Sequence, residues 1–250
     1  MSRLSITRLV KSFGGVKAVT GVSFTVGAGE VVALIGPNGA GKTTTFNMIN
    51  GQIRPDSGRV TLDGKDITGL PPRGLWREGV GRTFQITATF PSMTVAENVE
   101  VALLSRAARR SILGRRSRSR RADAETLLGL VGIADQADRT CGVLAYGDLK
   151  RVELAIALAN EPRLLLMDEP TAGMAPKERG ALMELATRIA REKGTAVLFT
   201  EHDMDVVFGH AQHVIVMNSG EIIAQGSPES IRQDPTVRTV YLGTAAVAGH

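Results

Sequence analysis

Nine consecutive residues have the types and spacing of a loop that binds phosphate. They fit the pattern G-x-x-x-x-G-K-[ST] and extend it by one position: Gly36, Pro37, Asn38, Gly39, Ala40, Gly41, Lys42, Thr43 and Thr44. Glycines in this pattern let backbone N–H groups turn toward phosphate oxygens, and the helix that follows adds its positive dipole end. Lys42 would reach the β- and γ-phosphates, and the Thr43 hydroxyl would bind Mg²⁺. The loop alone leaves kinases, GTPases and motor ATPases open.

Two acids, Asp168 and Glu169, follow the apolar run Leu164-Leu165-Leu166-Met167. The carboxyl ends of parallel strands face the ligand crevice of an open sheet. Asp168 could therefore hold Mg²⁺ there, and Glu169 could polarise the attacking water. The alternative interpretation is a strand end that carries two solvated acids. In combination with the phosphate loop, the acid pair favours nucleotide hydrolysis.

A histidine follows a second apolar run. His202 follows the apolar run Ala196 to Thr200, at the sheet edge where we also expect Asp168. From that position it could hydrogen-bond the γ-phosphate and help to position the water. The alternative is a structural histidine. The remaining histidines lack this placement, and we expect no catalysis from them: His210, His213 and His250.

The segments around these residues alternate between strand and helix patterns. Continuous apolar runs predict buried strands at residues 31–35, 164–167, 195–200 and 213–217, and helical patterns cover residues 42–50 and 176–191. This order predicts βαβ units around a parallel sheet. Alternating apolar and polar residues at 4–10 and 22–26 predict an antiparallel pair, and the alanine- and leucine-rich stretch 91–160 predicts a helical insert.

The composition is that of a globular chain of 250 residues, long enough for a large core. The first residues have no apolar signal segment, and no stretch reaches the ~18 to 20 apolar residues that a spanning helix needs, so we expect no membrane crossing. One cysteine, Cys141, excludes an internal disulfide and suits a reducing cytoplasm. We expect it to be a buried thiol without a catalytic role.

The formal net charge of +5 comes from one segment. Eight arginines and no acid lie between Ser105 and Arg121, and the rest of the chain has a charge of −3. Such a cluster could face anionic lipid or RNA, but a solvated face is the more ordinary interpretation. The charge therefore does not predict nucleic-acid binding.

Five motifs, in their order along the chain, resemble those of the ATP-binding subunit of an ABC transporter. They are residues 36–43 (Walker A), Gln85 (Q-loop), Leu144-Ala145-Tyr146-Gly147-Asp148 (signature), residues 164–169 (Walker B) and His202 (switch histidine). The resemblance covers nearly the whole chain and implies ATP and Mg²⁺ as cofactors. It also implies an α/β fold: a P-loop NTPase (RecA-like) core with a mostly parallel sheet, an N-terminal antiparallel β-subdomain and a helical signature subdomain.

The resemblance further implies a single ABC ATP-binding domain over residues 1–250. The catalytic core with its β-subdomain would occupy residues 1–90 and 161–235, the helical subdomain residues 91–160, and a C-terminal tail residues 236–250.

The same resemblance implies roles for further residues. Phe13 would be an aromatic platform for adenine, the alternative being a core phenylalanine. Gln85 would contact Mg²⁺ beside Thr43 and Asp168 and would sense the γ-phosphate. In this family two subunits face head to tail, with ATP between the Walker A of one and the signature of the other. Tyr146 and Gly147 would therefore bind nucleotide that lies on a second subunit.

Finer details are similar to the ATPases of branched-chain, or hydrophobic, amino acid importers. They are Arg82-Thr83-Phe84-Gln85, the variant signature, Glu201-His202-Asp203-Met204, and Asp234-Pro235 followed by Tyr241-Leu242-Gly243. This similarity implies a second ATP-binding subunit, often a different chain, below two transmembrane permease subunits that an external solute-binding protein supplies. The chain would then lie at the cytoplasmic face of the inner or plasma membrane, held there by the permeases.

Three residues depart from the family pattern. Ala145 replaces the usual signature serine, Asp148 replaces glutamine or glutamate, and Ala175 replaces the aspartate expected after Walker B. The loss of one neutral hydrogen bond, such as the one that a serine hydroxyl would donate, costs ~1 kcal/mol, which changes an equilibrium constant roughly fivefold. Our hypothesis is that the two composite sites are unequal and that this chain lends the weaker signature to a different partner.

Other functions share part of this pattern. A lipid or lipopolysaccharide export ATPase has every nucleotide motif, and only the signature variant argues against it. A soluble ABC ATPase that acts on nucleic acid or ribosomes usually has two such domains or a coiled-coil insert, which this chain lacks. A P-loop kinase would not need the signature, and a binding module without turnover would lack Glu169.

Overall fold

The computed structural model of the chain describes residues 2–83, 89–107 and 117–240. Gln85, the stretch Tyr241-Leu242-Gly243 and most of the arginine run lie outside the described residues. Within that run, Arg106 pairs with Glu161, and Arg121 lies 2.7 Å from a carboxylate oxygen of Glu125 and of Asp138. The arginines that can be placed in these pairs are therefore surface residues with acidic partners.

The described residues form an alternating series of strands and helices. The strands are β1 (Ser2–Phe13), β2 (Val16–Gly27), β3 (Val31–Ile35), β4 (Ser57–Leu62), β5 (Lys65–Asp66), β6 (Val80–Thr83), β7 (Leu164–Asp168), β8 (Ala196–Thr200), β9 (His213–Asn218) and β10 (Glu221–Gly226). The helices are α1 (Lys42–Ile49), α2 (Pro72–Arg77), α3 (Val95–Ala107), α4 (Ser117–Leu130), α5 (Tyr146–Leu158), α6 (Pro176–Lys193), α7 (Met204–His210) and α8 (Pro228–Gln233).

The central sheet has six strands in the order β10-β9-β3-β8-β7-β6. All neighbours in it are parallel except β10, which pairs antiparallel with β9. Every residue of β3 and β8 is buried, as expected of strands covered on both faces. The predicted mostly parallel sheet is confirmed. Because β3, β8 and β7 are consecutive parallel strands in the sheet, their carboxyl ends lie along one edge.

The second sheet is antiparallel, with the strand order β2-β1-β4-β5. Its long first pair extends the predicted antiparallel pair in both directions, to Ser2–Phe13 and Val16–Gly27. A hydrophobic cluster joins residues of this sheet, such as Leu4, to Phe46 on α1 and Leu34 on β3. The N-terminal β-subdomain is thus confirmed, and α1 packs where the two sheets meet.

Helices α3, α4 and α5 pack on one another in the stretch predicted to be helical. Their apolar residues Val95, Leu128 and Leu154 belong to the same cluster as the central strands. Cys141 is buried beside Asn98, whose amide donates to Sγ at 3.3 Å, and burial raises the pKa of the thiol. Among the described helices, none has the length and apolar character needed to span a bilayer.

Helix α5 begins within the signature, at Tyr146. Tyr146 and Gly147 are poor helix formers, but they lie in the first turn of the helix rather than ahead of it.

Candidate nucleotide site

The phosphate-loop residues connect the end of β3 to the start of α1. Gly41 has φ +96°, and a Cβ there would lie 2.5 Å from the Ala18 carbonyl oxygen on β2. At Gly36 a Cβ would lie 2.2 Å from the carbonyl oxygen of Met217 on β9. No side chain can occupy these positions without moving backbone, so the glycines let the loop pass close to its neighbouring strands.

A turn between β9 and β10 supports the loop from behind. The Gly220 N–H donates to the Ala40 carbonyl at 3.0 Å, and the Gly220 carbonyl accepts from the Thr20 N–H at 2.8 Å. The loop, strand β2 and this turn are thus joined by backbone hydrogen bonds.

Lys42 begins α1 and is almost fully buried, with 7% of its surface exposed. Its ammonium donates to the carbonyl oxygens of Gly36 at 2.6 Å and Pro37 at 3.0 Å. Burial lowers the pKa of Lys42, and the charges of Glu169 and Asp168 partly oppose that change. The lysine therefore connects the phosphate loop electrostatically to the acids at the end of β7.

The three threonines that follow Lys42 have different surroundings. The Thr43 side chain is exposed, Thr44 is half-buried, and Thr45 is buried with its hydroxyl 3.7 Å from the Met217 sulfur. Thr43 and Thr44 are therefore the ones whose hydroxyls can reach a ligand at the loop.

Asp168 is the last residue of β7, and Glu169 leaves the strand through a strained backbone. The Thr200 hydroxyl donates to Asp168 Oδ1 at 2.7 Å, and Arg82 Nη2 lies 3.9 Å from Oδ2. Glu169 has φ +46°, a conformation that costs a non-glycine residue energy and that clusters at functional sites. Its N–H donates to the carbonyl and hydroxyl oxygens of Thr200, both at 3.1 Å.

Motif spacing does not predict that Thr200 and Arg82 contact the acids of this site. The available signal for Thr200 is a hydroxyl residue that ends an apolar strand next to the strand of the acids. For Arg82, the signal is a cation in an otherwise buried strand. Strand β6 runs beside β7, so this cation lies next to the strand that carries Asp168.

The structure brings His202 to Glu169. Its Nε2 lies 3.0 Å from Glu169 Oε1, just past the end of β8. The imidazole is half exposed, so it can also face a ligand at this edge. Lys42, Asp168, Glu169 and His202, all predicted from the sequence, thus lie close to one another at this edge of the sheet.

Phe13 lies at the end of β1, where 48% of its surface is exposed, so it is not a core residue. The Lys11 ammonium lies 5.5 Å from the ring centroid and 2.7 Å from Asp56 Oδ1. The pairing of Lys11 with Asp56 holds the strand end and leaves the aromatic ring accessible.

The signature residues lie at the N-terminus of α5. Ala145 is the N-cap and supplies no side-chain hydrogen bond, and Asp148 is the acid of the first turn. Tyr146 is exposed, with the Lys150 ammonium 5.4 Å from its ring centroid, whereas Gly147 is buried. Among the described residues, no hydrogen bond joins this helix start to the phosphate loop of the same chain.

The oxygen donors fit Mg²⁺ bound together with a nucleotide. No group of three or more histidine, cysteine, aspartate or glutamate side chains in the described part of the chain could hold a metal alone. Mg²⁺ usually binds one or two carboxylates together with substrate phosphates, and Asp168 with the Thr43 hydroxyl supplies that kind of set. Gln85, the third predicted ligand, lies outside the described residues.

The family model described as "ABC transporter" matches residues 19–172. The chain belongs to the ABC transporter family as an ATP-binding subunit. It is therefore an ATPase subunit, as the motifs imply. A second family model, "Branched-chain amino acid ATP-binding cassette transporter", matches residues 221–247 of this subunit.

Relatives of this ATPase subunit resemble it over nearly their whole length. It is 41% identical to the high-affinity branched-chain amino acid transport ATP-binding protein BraF of Pseudomonas aeruginosa, over 98% of this chain and 100% of that protein. It is 37% identical to the lipopolysaccharide export system ATP-binding protein LptB of Haemophilus influenzae, over 97% of this chain and 98% of that protein.

Solved ABC cassettes share the fold of this ATPase subunit. The ADP conformation of the ATP-binding cassette MJ1267 superimposes with a TM-score of 0.86 at 35% identity, over 97% of this chain and 99% of that one. A dimeric cassette, MJ0796 bound to ADP and Pi, gives a TM-score of 0.78 at 27% identity, over 90% and 98% of the two chains.

Proposed function

We propose that this ATPase subunit drives an importer of branched-chain or other hydrophobic amino acids. The observation that supports ATP turnover is the single group formed by Lys42, Asp168, Glu169 and His202 at one sheet edge. The observation that supports the substrate class is the match of residues 221–247 to the branched-chain model, together with the 41% identity to BraF.

We assign the nucleotide roles as follows. The exposed ring of Phe13 stacks on adenine, and backbone N–H groups of residues 36–44 surround the phosphates. Lys42 exchanges its loop carbonyls for phosphate oxygens. Thr43, Asp168 and Gln85 would hold Mg²⁺, which would supply neutralisation of the phosphate charge.

Glu169 and His202 act on the water and the γ-phosphate. The Glu169 carboxylate accepts a hydrogen bond from the attacking water, and its backbone is held by Thr200. His202 Nε2, 3.0 Å from that carboxylate, can donate its N–H either to the carboxylate or to a γ-phosphate oxygen. The gain comes from positioning and charge stabilisation rather than covalent chemistry.

We propose that the complete site needs a second ATP-binding subunit. The start of α5, with Tyr146 and Gly147, presents backbone N–H groups and a positive dipole end to the partner's nucleotide. The absence of a hydrogen bond between this helix start and the chain's own loop, within the described residues, agrees with that arrangement. The related cassette MJ0796 is dimeric when bound to ADP and Pi, which supports a paired arrangement here.

The wider assembly follows from the same assignment. Two permease subunits hold the ATPase at the cytoplasmic membrane face, and an extracytoplasmic solute-binding protein delivers the substrate. Residues 91–160 act as a helical subdomain between the core segments 1–90 and 161–235, ahead of a tail at 236–250. Exposed Phe90 and Val143 flank the contact between Pro91 and Gly142, and supply apolar surface for a permease.

Lipopolysaccharide export is the second candidate, because LptB is 37% identical over nearly the full length. The two functions are separated by uptake of radiolabelled leucine, isoleucine and valine in cells that lack the gene. We expect the wild-type gene to restore uptake and the Glu169→Gln gene to fail. Normal uptake in the deletion strain, with a defect in lipopolysaccharide export, would support the second candidate instead.

A further inference from the structure

Arg179 connects two segments that flank the candidate catalytic group. One is the turn of residues 171–175 between Walker B and α6, and the other is the switch segment of residues 201–203, which contains His202. Arg179 Nε donates to the Met174 carbonyl at 2.8 Å, and Nη1 lies 2.5 Å from Asp203 Oδ2. One guanidinium thus holds both segments, and its charge makes the bond to Asp203 a strong one.

Glu201 forms a second link between the same segments. It is buried, with 4% of its surface exposed. Its Oε1 accepts from the Thr171 N–H at 2.9 Å and from the Thr171 hydroxyl at 2.6 Å, and Oε2 accepts from the His202 N–H at 3.1 Å. Because a buried carboxylate without partners is costly, these bonds keep Thr171 and His202 together.

The end of the turn has no capping side chain of its own. Ala175 is the N-cap of α6 and cannot accept a hydrogen bond through its methyl group. Glu178 Oε2 instead accepts from the Ala175 N–H at 3.2 Å, and Arg179 holds the carbonyl one residue earlier. Two side chains in the first turn of α6 therefore hold the end of the turn 171–175, where Ala175 stands in place of the family's aspartate.

We infer that Arg179 and Glu201 are positioning residues that make the turn 171–175 and the switch segment move as one unit. A shift of the turn, which follows Walker B at the site edge, would then be transmitted to His202 and change its distance to Glu169. The inference rests on the roles proposed above for Glu169 and His202, and adds a conformational connection between the turn and His202. It differs from a structural role, in which these bonds would only stabilise α6 and α7.

The test is steady-state ATP hydrolysis by the full chain with the subunits that co-purify with it, comparing Arg179→Met, Asp203→Asn and the double variant. Asparagine caps a helix as well as aspartate does, so Asp203→Asn removes the charge and keeps the start of α7. Arg191→Met, an exposed arginine on the same helix, is the matched control.

We expect kcat to fall about tenfold in Arg179→Met with KM for ATP within about twofold, since a displacement of ~1 Å can cost up to 10²-fold in rate. The double variant should lose no more than the larger single loss, because both changes break one ion pair. Arg179→Lys, which keeps the charge but lacks the Nε donor, should give an intermediate kcat.

A kcat for Arg179→Met equal to that of Arg191→Met would overturn the inference, as would a kcat that only follows the melting temperature across the variants. A wild-type complex without ATPase activity would overturn the proposed function and this inference with it. An active wild type with an unaffected Arg179→Met variant would remove the inference alone.

Discussion

Two opposing electrostatic effects act on the pKa of Lys42. Its burial disfavours the ammonium, whereas Glu169 and Asp168 favour it. The result is a pKa below the ordinary 10.5 of a lysine. In the protein, the ammonium is held within the phosphate loop by the carbonyls of Gly36 and Pro37.

Nucleotide affinity should therefore fall at alkaline pH. The protonated lysine binds phosphates, so affinity is highest below the lowered pKa of Lys42 and decreases as the pH rises through it. This decrease should begin below the pH expected for an ordinary lysine. Titration of fluorescent ATP between pH 7 and 10 would measure it. Lys42→Arg, whose guanidinium stays charged, should flatten the profile, and an equally steep profile in that variant would contradict the assignment.

Glu169→Gln should bind ATP and hydrolyse it at least 10²-fold more slowly, because the amide cannot accept the proton that general-base catalysis moves. The amide keeps the size of the side chain and leaves the backbone bonds to Thr200 in place. Equilibrium binding and single-turnover hydrolysis measure the two properties separately. Glu192→Gln, an exposed position on α6, is the control, and normal turnover in Glu169→Gln would remove the assigned base.

At the scale of elements, the start of α5 lacks a side-chain cap because its N-cap residue is Ala145. A serine at this position would accept a hydrogen bond from a backbone N–H of the first turn, which is worth ~1 kcal/mol in typical helices. The same hydroxyl would face the partner's nucleotide in the proposed dimer. The alanine at position 145 thus affects both the stability of α5 and the composite site of the proposed dimer.

Ala145→Ser should raise the melting temperature by about 2–4 °C, the shift that ~1 kcal/mol produces in a chain of this size. Ala122→Ser, at an exposed position inside α4, should lower it slightly because serine is a weaker helix former than alanine. Calorimetry on both variants distinguishes a cap from a general effect of serine. A fall in both would show that the hydroxyl does not cap α5.

The sequence predicts elements best where burial is continuous. Strands β3, β7, β8 and β9 are visible as apolar runs, and their adjacency places the acids beside the phosphate loop. Strand β6 is less visible, because Gly81 and Arg82 interrupt its apolar pattern. A Cβ at Gly81 would lie 2.8 Å from the Ala157 carbonyl, so close packing against α5 selects that glycine, a constraint that only the tertiary structure shows.

The residues of the candidate site also fall into two groups, those that the sequence predicts and those that only the structure reveals. Motif spacing predicts Lys42, Asp168, Glu169 and His202, because each follows a recognisable strand or loop. It does not predict Thr200 or Arg179, whose partners lie on other elements and are fixed by strand order and helix packing. Side chains that orient other side chains form no recognisable spacing pattern in the sequence, because their partners lie on other elements.

At the scale of the whole molecule, one chain contributes half of each composite site in the proposed dimer. Its own Walker motifs would face the partner's signature, and its own signature, with Ala145, would face the partner's Walker motifs. The site that receives Ala145 lacks a hydroxyl donor, so we expect the other site to be the stronger one.

Lys42→Ala in this chain should therefore cost more single-turnover activity than the matching change in the partner subunit. The expected difference is roughly fivefold, the equilibrium value of one neutral hydrogen bond. Rapid-quench measurements on the reconstituted pair give both losses, with Lys193→Ala at the exposed end of α6 as the control. Equal losses would contradict unequal sites.

The backbone hydrogen bonds that join the phosphate loop to Gly220, and Gly220 to Thr20, limit where the chain can tolerate an inserted residue. A Cβ at Gly220 would lie 2.9 Å from the Ala18 carbonyl, and at Gly41 it would meet the same oxygen at 2.5 Å. Residues around 18–20 and 218–220 are far from the motifs in sequence, yet an inserted residue in either place would distort the loop. Deep mutational scanning should therefore find these two stretches as intolerant of insertion as the phosphate loop itself.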